Sequence, residues 1–495
     1  MTSTDRSDAF AVDRPATVAG AARHVRRAGP FASGGPVRSL VGVVLAAVLV
    51  GASVTSLGVV ATTATAAPAV TATPTPTPTV DPRIVADDPV PATTPRMCSV
   101  ADVAADPRLA TLQAQVRSAD TGEILFDRDG DTPNRTASTF KVITSAAALA
   151  VFGADHTFET RVVEGDEPGT IVLVGGGDIT LTRLPTGQSS VYTDAAHLDD
   201  LAARTLMALT ETGETDGTVT RIVVDASLFG TDDWRPDWNP NSPAEGYQTR
   251  VTALQVDGDR DDPTRTGSPR GTDPVGRAAD AFASYFPGAV VESGTASADA
   301  EELAVVSSPT VASLVHDSLL ESDNMIAEAL ARLVSIELGA GNTFAALQQA
   351  IPEALADYGI PTDGIVVADG SGLSTENAVP PSYLTRLFGL VEDGAGDLEA
   401  VEAGLPVAGE TGTLDEDERF TGDSAAARGH VFAKTGYIRS AYTLSGIIEA
   451  ADGSTLVFTI YALGTVGETL PTTTMEGIDA LTTAFYRCGS SLSNG

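Results

Sequence analysis

The sequence predicts an α/β chain of the α+β type, with an antiparallel sheet flanked by helices and a β-rich domain inserted into it. Three observations carry that expectation. A hairpin pattern, "LQAQVRSADTGEILFD" at 112–127, precedes apolar residues at helical spacing, Val142, Ile143, Ala146 and Leu149. Strand-like stretches at 430–437, 441–449 and 455–463, with Asp452 and Gly453 as a hairpin turn, run into a closing helix, "TMEGIDALTTAFYRC". Between these halves, roughly 180 residues (141 to 322) hold strand-like runs such as "GTIVLVGGG" and "TRIVVDASLF", more than one helical layer needs.

From the N-terminus, residues 1–38 carry six arginines and read as a cytoplasmic segment. Residues 40–60 hold no charge and are long enough to span a bilayer, and the arginine excess before them predicts export of the rest. Small residues at 63–68 ("TATAAP") also offer a cleavage site, so 39–67 is a transmembrane anchor or a signal peptide. Pro and Thr dominate 68–97, an extended linker. Cys98 and Cys488, the two cysteines, bracket the folded part, and in an exported chain they are expected to form one disulfide.

The folded part divides into a main domain, 98–160 with 276–495, and the inserted β-rich domain, 161–275. "DRDGD" (127–131) starts like a calcium loop but has Thr132 where such a loop needs Gly, and it reads as a turn. "GGGD" (175–178) lacks the lysine of a phosphate loop and is also a turn. In 307–338, Pro309 stands at a first helical position, and a break at 322–324 separates two helices. The net charge of -36 argues against nucleic acid or an anionic surface as an electrostatic partner.

Of the 30 cationic side chains, only Lys141 and Lys434 are lysines. Arginine stays protonated, whereas a lysine can be pushed to give up its proton and act as a base. Lys141 follows Ser138 by three residues, which on a helix puts nucleophile and base on one face. Ser138 lies near a helix N-terminus, where N–H groups favour developing negative charge. Lys434 begins "KTG" with Thr435 and Gly436, and Ser322, Asp323 and Asn324 stand between the two lysines. The order S-x-x-K, S-D-N, K-T-G is the signature of penicillin-binding proteins and serine β-lactamases.

Over roughly 98–490 the chain resembles the low-molecular-mass class C penicillin-binding proteins, the D-alanyl-D-alanine carboxypeptidase/endopeptidase family. "LVGGGD" (173–178), "DGSGLS" (369–374) and "LPVAG" followed by "GTL" (405–414) resemble segments of that family, although Thr411 stands where it usually has Asp. The resemblance implies a penicillin-binding-protein/β-lactamase-like serine transpeptidase fold. It implies that Ser138 attacks the bond between two D-alanines of a peptidoglycan stem peptide while Lys141 takes its proton, helped by burial and the neighbouring cation Lys434. Ser322 would relay the proton, Asn324 would hold the peptide, and Lys434 and Thr435 would hold the terminal carboxylate. Gly436 would admit the substrate closely, and the N–H groups of Ser138 and Tyr437 would form an oxyanion hole.

β-Lactams are the expected covalent inhibitors, the N-terminal segment the membrane contact, and no cofactor or metal is required. Asp323 reads as a helix cap, 369–374 as a structural turn, and Arg419 and Arg428 as solvated. His430 invites a Ser-His-Asp triad, but the chain has no G-x-S-x-G elbow. Two other readings stand beside the peptidase: a β-lactamase, and a non-catalytic tethered wall-binding or β-lactam-sensing protein.

Overall fold

The structure is a computed structural model that describes residues 96–212, 218–415 and 419–494. The expected cytoplasmic segment, the anchor or signal peptide, and the linker up to residue 95 lie outside the described residues. Among the described residues no helix is long and apolar enough to cross a membrane. In chain order the strands are β1 (Cys98–Ser99), β2 (Thr111–Ser118), β3 (Ile124–Arg128), β4 (Glu159–Glu164), β5 (Thr170–Val174), β6 (Arg221–Asp225), β7 (Val290–Ser293), β8 (Glu302–Ser307), β9 (Val431–Ile438), β10 (Ala441–Glu449), β11 (Thr455–Leu463) and β12 (Leu492–Ser493).

The main sheet is antiparallel throughout, in the order β3-β2-β11-β10-β9. Alternation along a strand sends successive side chains to opposite faces, and both faces here are covered. On β11, Val457 and Tyr461 join a core with the helices Phe140–Phe152, Val311–Leu320, Asn324–Glu337 and Pro381–Glu392. Phe458 and Ile460 face the closing helix Thr473–Cys488, packing with Ile478, Leu481 and Phe485. The helix Phe140–Phe152 is buried at every position from Phe140 to Leu149, and its alanines at 146, 147 and 148 let neighbouring helices come close.

A break does separate two helices, but it covers 321–323, with Asn324 already the first residue of the second helix, and the first begins at Val311 rather than at Pro309. Thr310 caps it by accepting the Ser313 N–H at 3.3 Å, which leaves Pro309 in the approach. The disulfide Cys98–Cys488 is formed, with Cα atoms 5.5 Å apart, beside the parallel pairing of β1 with β12. Closing a loop of this length stabilises a fold by about 2–5 kcal/mol.

A second sheet of order β7-β6-β5-β4-β8 is built from residues 159–307, so β7 and β8 lie beyond position 275. Its β5, β6 and β7 run parallel. Parallel neighbours need crossovers, and the helices Leu198–Thr212 and Pro274–Ala283 lie in those connections and cover the sheet. This segment therefore carries helix as well as strand.

Candidate active site

Ser138 sits in a tight turn, Ala137–Thr139, that leads directly into the helix Phe140–Phe152. Ala137 has φ 46°, a left-handed conformation that costs a residue with a Cβ about 1–2 kcal/mol. Neighbours hold the turn in place. Thr443 of β10 donates its hydroxyl to Thr136 O at 2.7 Å, and a Cβ added at Gly372 would strike the Ala137 carbonyl. One added at Gly436 would strike the Thr443 hydroxyl and stand 2.9 Å from Ser138 N. Gly436 thus lets β9 close on the Ser138 turn itself.

Lys141 is fully buried and donates to Ser138 Oγ at 2.9 Å, Asn324 Oδ1 at 2.6 Å and the Ser371 carbonyl at 2.8 Å. Three acceptors take the three protons of an ammonium. When one proton leaves, the amine can keep Asn324 and Ser371 and turn its lone pair to the Ser138 hydroxyl. Burial pushes the Lys141 ammonium down to about 8, against the pull of Asp369, Glu328 and Asp323. Lys434, also fully buried, is held well below the ordinary lysine range by burial first and then by the charge on Lys141. Its Nζ donates to the Thr435 carbonyl at 2.9 Å.

Strand β9 is the free edge of the main sheet beyond its pairing with the 406–408 segment. Val431 and Ala433 turn their backbone groups outward, accepting from Ala408 N and donating to Pro406 O. Strand alternation turns the backbone groups of Thr435 and Tyr437 the same way. Thr435 shares a 2.7 Å hydrogen bond with the hydroxyl of Thr413 from the "GTL" segment. Asn324 opens the helix Asn324–Glu337, and its Nδ2 donates to Tyr247 O at 2.9 Å. Ser322, on the same turn, is half-buried with φ 58°, and its hydroxyl is not bonded to Ser138 or Lys141. Ser138, Lys141 and Asn324 form one hydrogen-bonded set, with β9 alongside.

The model of the D-Ala-D-Ala carboxypeptidase 3 (S13) family matches residues 97–286 and 284–485. The chain belongs to this family. It is 31% identical over 422 residues to carboxypeptidase DacB of Mycolicibacterium smegmatis, covering 83% of this chain and 88% of that one. It is 29% identical over 434 residues to a D-alanyl-D-alanine carboxypeptidase of Actinomadura sp., covering 70% and 76%. Its fold is similar to that of penicillin binding protein 4 from Haemophilus influenzae, with a TM-score of 0.63 at 18% identity over 78% of this chain and 99% of that one. The expected penicillin-binding-protein fold is thus present, and the protein is an enzyme, a serine-type D-Ala-D-Ala carboxypeptidase.

Within this S13 enzyme several residues differ from what their local sequence suggested. The 369–374 segment is a turn, but it also delivers the Ser371 carbonyl to Lys141. Two buried carboxylates hold that turn. Asp369 accepts from Gly372 N at 2.8 Å, Ser374 N at 2.6 Å and Trp238 Nε1 at 2.8 Å, and Glu328 accepts from Ser371 N at 2.8 Å. Burial, with the charge of Asp369, pushes the Glu328 carboxyl up to about 7. Arg419, expected to be solvated, is instead buried and paired with Asp479 of the closing helix, while half-buried Arg428 donates to Gly409 O. Thr411 accepts the Val407 N–H at 3.0 Å, and His430 is exposed and stacked on Tyr486.

Proposed function

We propose that this carboxypeptidase acts on peptidoglycan stem peptides through an acyl-enzyme on Ser138, as a D-Ala-D-Ala carboxypeptidase with endopeptidase activity, and that β-lactams acylate the same atom. The supporting observation is the contact of 2.9 Å between Ser138 Oγ and a lysine with no solvent exposure, whose pKa burial brings to about 8. Neutral Lys141 takes the Ser138 proton as Oγ bonds to the carbonyl carbon of the penultimate D-alanine. The N–H groups of Ser138 and Tyr437 receive the oxyanion, each donor worth about 3 kcal/mol in such sites. The C–N bond then breaks, the proton passes to the departing amine with Ser322 as relay, and water releases the acyl group and regenerates Ser138.

Lys434, Thr435 and Thr413 supply a cation and two hydroxyls for the substrate's terminal carboxylate, and Asn324 and the outward edge of β9 bind its backbone. A penicillin carries a carboxylate in a similar place. The segment bearing the second sheet is read as a domain inserted into the catalytic one. Substrate chemistry places the enzyme outside the cytoplasm, and we assign residues 39–67 as its anchor or signal peptide.

The test is intact mass of the purified protein mixed with benzylpenicillin, followed by peptide mapping and an assay of D-alanine release from a stem peptide. An adduct on Ser138 with D-alanine release is expected. Drug consumed with no lasting adduct and no D-alanine release would make it a β-lactamase, and no reaction at all would favour a wall-binding protein.

A further inference from the structure

Asp323, the middle residue of S-D-N, is 6% exposed and uses both carboxylate oxygens. Oδ1 caps the following helix, accepting from Met325 N at 2.8 Å and Ile326 N at 3.2 Å. Oδ2 points the other way, into residues of the chain between the first two active-site words. It accepts from Arg260 Nη2 at 2.7 Å, Arg270 Nη2 at 3.1 Å and the Tyr192 hydroxyl at 3.1 Å. All three partners are buried, and Arg260 also donates to the Tyr192 oxygen at 2.6 Å.

Arg270 reaches the other side of the turn as well. Its Nε donates to Gly246 O at 2.9 Å, next to Tyr247, whose carbonyl receives the Asn324 Nδ2. One guanidinium therefore fixes both Asp323 and the backbone that decides which way the Asn324 amide faces. That amide must turn its oxygen to Lys141, and it does so at 2.6 Å. Ser322, just before Asp323, lies in the left-handed region, where a residue with a side chain needs its surroundings to hold it.

We propose that Arg260 and Arg270, with Tyr192, are positioning residues for the acylation step: they lock the 322–324 turn through Asp323 and Gly246, and so aim the Asn324 amide at Lys141. Two arginines sharing one buried carboxylate hold geometry that one hydrogen bond cannot, because each planar fork makes further bonds to backbone carbonyls in a fixed direction. The second-sheet segment and its connections thereby take part in the chemistry without touching the substrate. The proposal rests on Ser138 and Lys141 being nucleophile and base.

The experiment measures the second-order rate of acylation by benzylpenicillin for the full chain and for Arg270→Met, Arg270→Lys, Tyr192→Phe, Asn324→Ala and the pairs R270M/N324A and Y192F/N324A, with near-UV circular dichroism on each. A misaimed turn is expected to slow R270M about 10²-fold in a folded protein, with Arg270→Lys between R270M and wild type. Residues that act through Asn324 are not additive with it, so each pair should be no slower than N324A alone. A folded R270M within twofold of wild type would overturn the proposal, as would pairs that lose the product of the single losses. If R270M does not fold, Y192F carries the test, since it keeps every charge: it should be slowed with an unchanged spectrum and be non-additive with N324A, and wild-type acylation in folded Y192F would overturn the clamp. Absence of a Ser138 adduct in the wild type would instead remove the reading of the site on which the clamp depends.

Discussion

Successive residues of one turn, Asn324 and Asp323, face two different sets of buried cations. On one side lie Lys141 and Lys434, both without solvent exposure, and among the described residues neither has a carboxylate within ion-pair distance. On the other, Arg260 and Arg270 share the Asp323 carboxylate at 2.7 and 3.1 Å. Burial is the same and the outcome is opposite. Without a paired anion, desolvation drives both lysines toward losing a proton, and on Lys434 the charge of Lys141 adds to it. Burial opposes charge on Asp323 too, yet Arg270 and Arg260 hold its carboxyl well below the usual range, so the charges on that side stay. One set is arranged to exchange a proton, the other to hold a shape.

Exchanging the type of cation tests that contrast most severely. Lys141→Arg keeps charge and removes the ability to lose it, so acylation by benzylpenicillin should fall by about 10³-fold, read by intact mass over time. Acylation at a wild-type rate would show that Lys141 is not the base. Removing the anion from the other set should appear in stability instead. Asp323→Ala leaves two guanidinium groups buried together and uncaps a helix, and is expected to cost about 3–5 kcal/mol in denaturant unfolding. A loss under about 1 kcal/mol would mean that water reaches the arginines and the cluster is not a buried ion pair.

The lysine side of this contrast was legible in the sequence and the arginine side was not. Lys141 and Lys434 stand out because the chain spells its other 28 cations as arginine and because each lysine starts or ends a short word whose spacing the chemistry dictates. Arg260 and Arg270 look like any other arginine, and their partner lies 63 and 53 residues away, a separation no local pattern encodes. Arg419 misled for the same reason, since its Gly- and acid-rich surroundings suggest solvent while Asp479 lies 60 residues on. The main sheet was legible because β9, β10 and β11 are long, apolar and joined by short turns. Strand β7 was not, because all four of its residues are exposed and it shows no alternation to read.

Titration gives the finest separation of the two sets. The lysines act as one unit, because a charge on either lowers the proton affinity of the other. With both charged, Lys141 has no lone pair for Ser138 and acylation is slow. With one charge left, the productive arrangement puts it on Lys434, and the carboxylate of benzylpenicillin favours that arrangement by binding there. Acylation rate should therefore rise up to tenfold per pH unit below about 8 as the pair loses its first proton, and fall again at higher pH as the second proton leaves. A rate that stays flat from pH 6 to 10, measured by quenched-flow mass spectrometry, would mean that no buried lysine proton is lost before Ser138 attacks, and the distinction between the two sets of cations would then be one of packing alone.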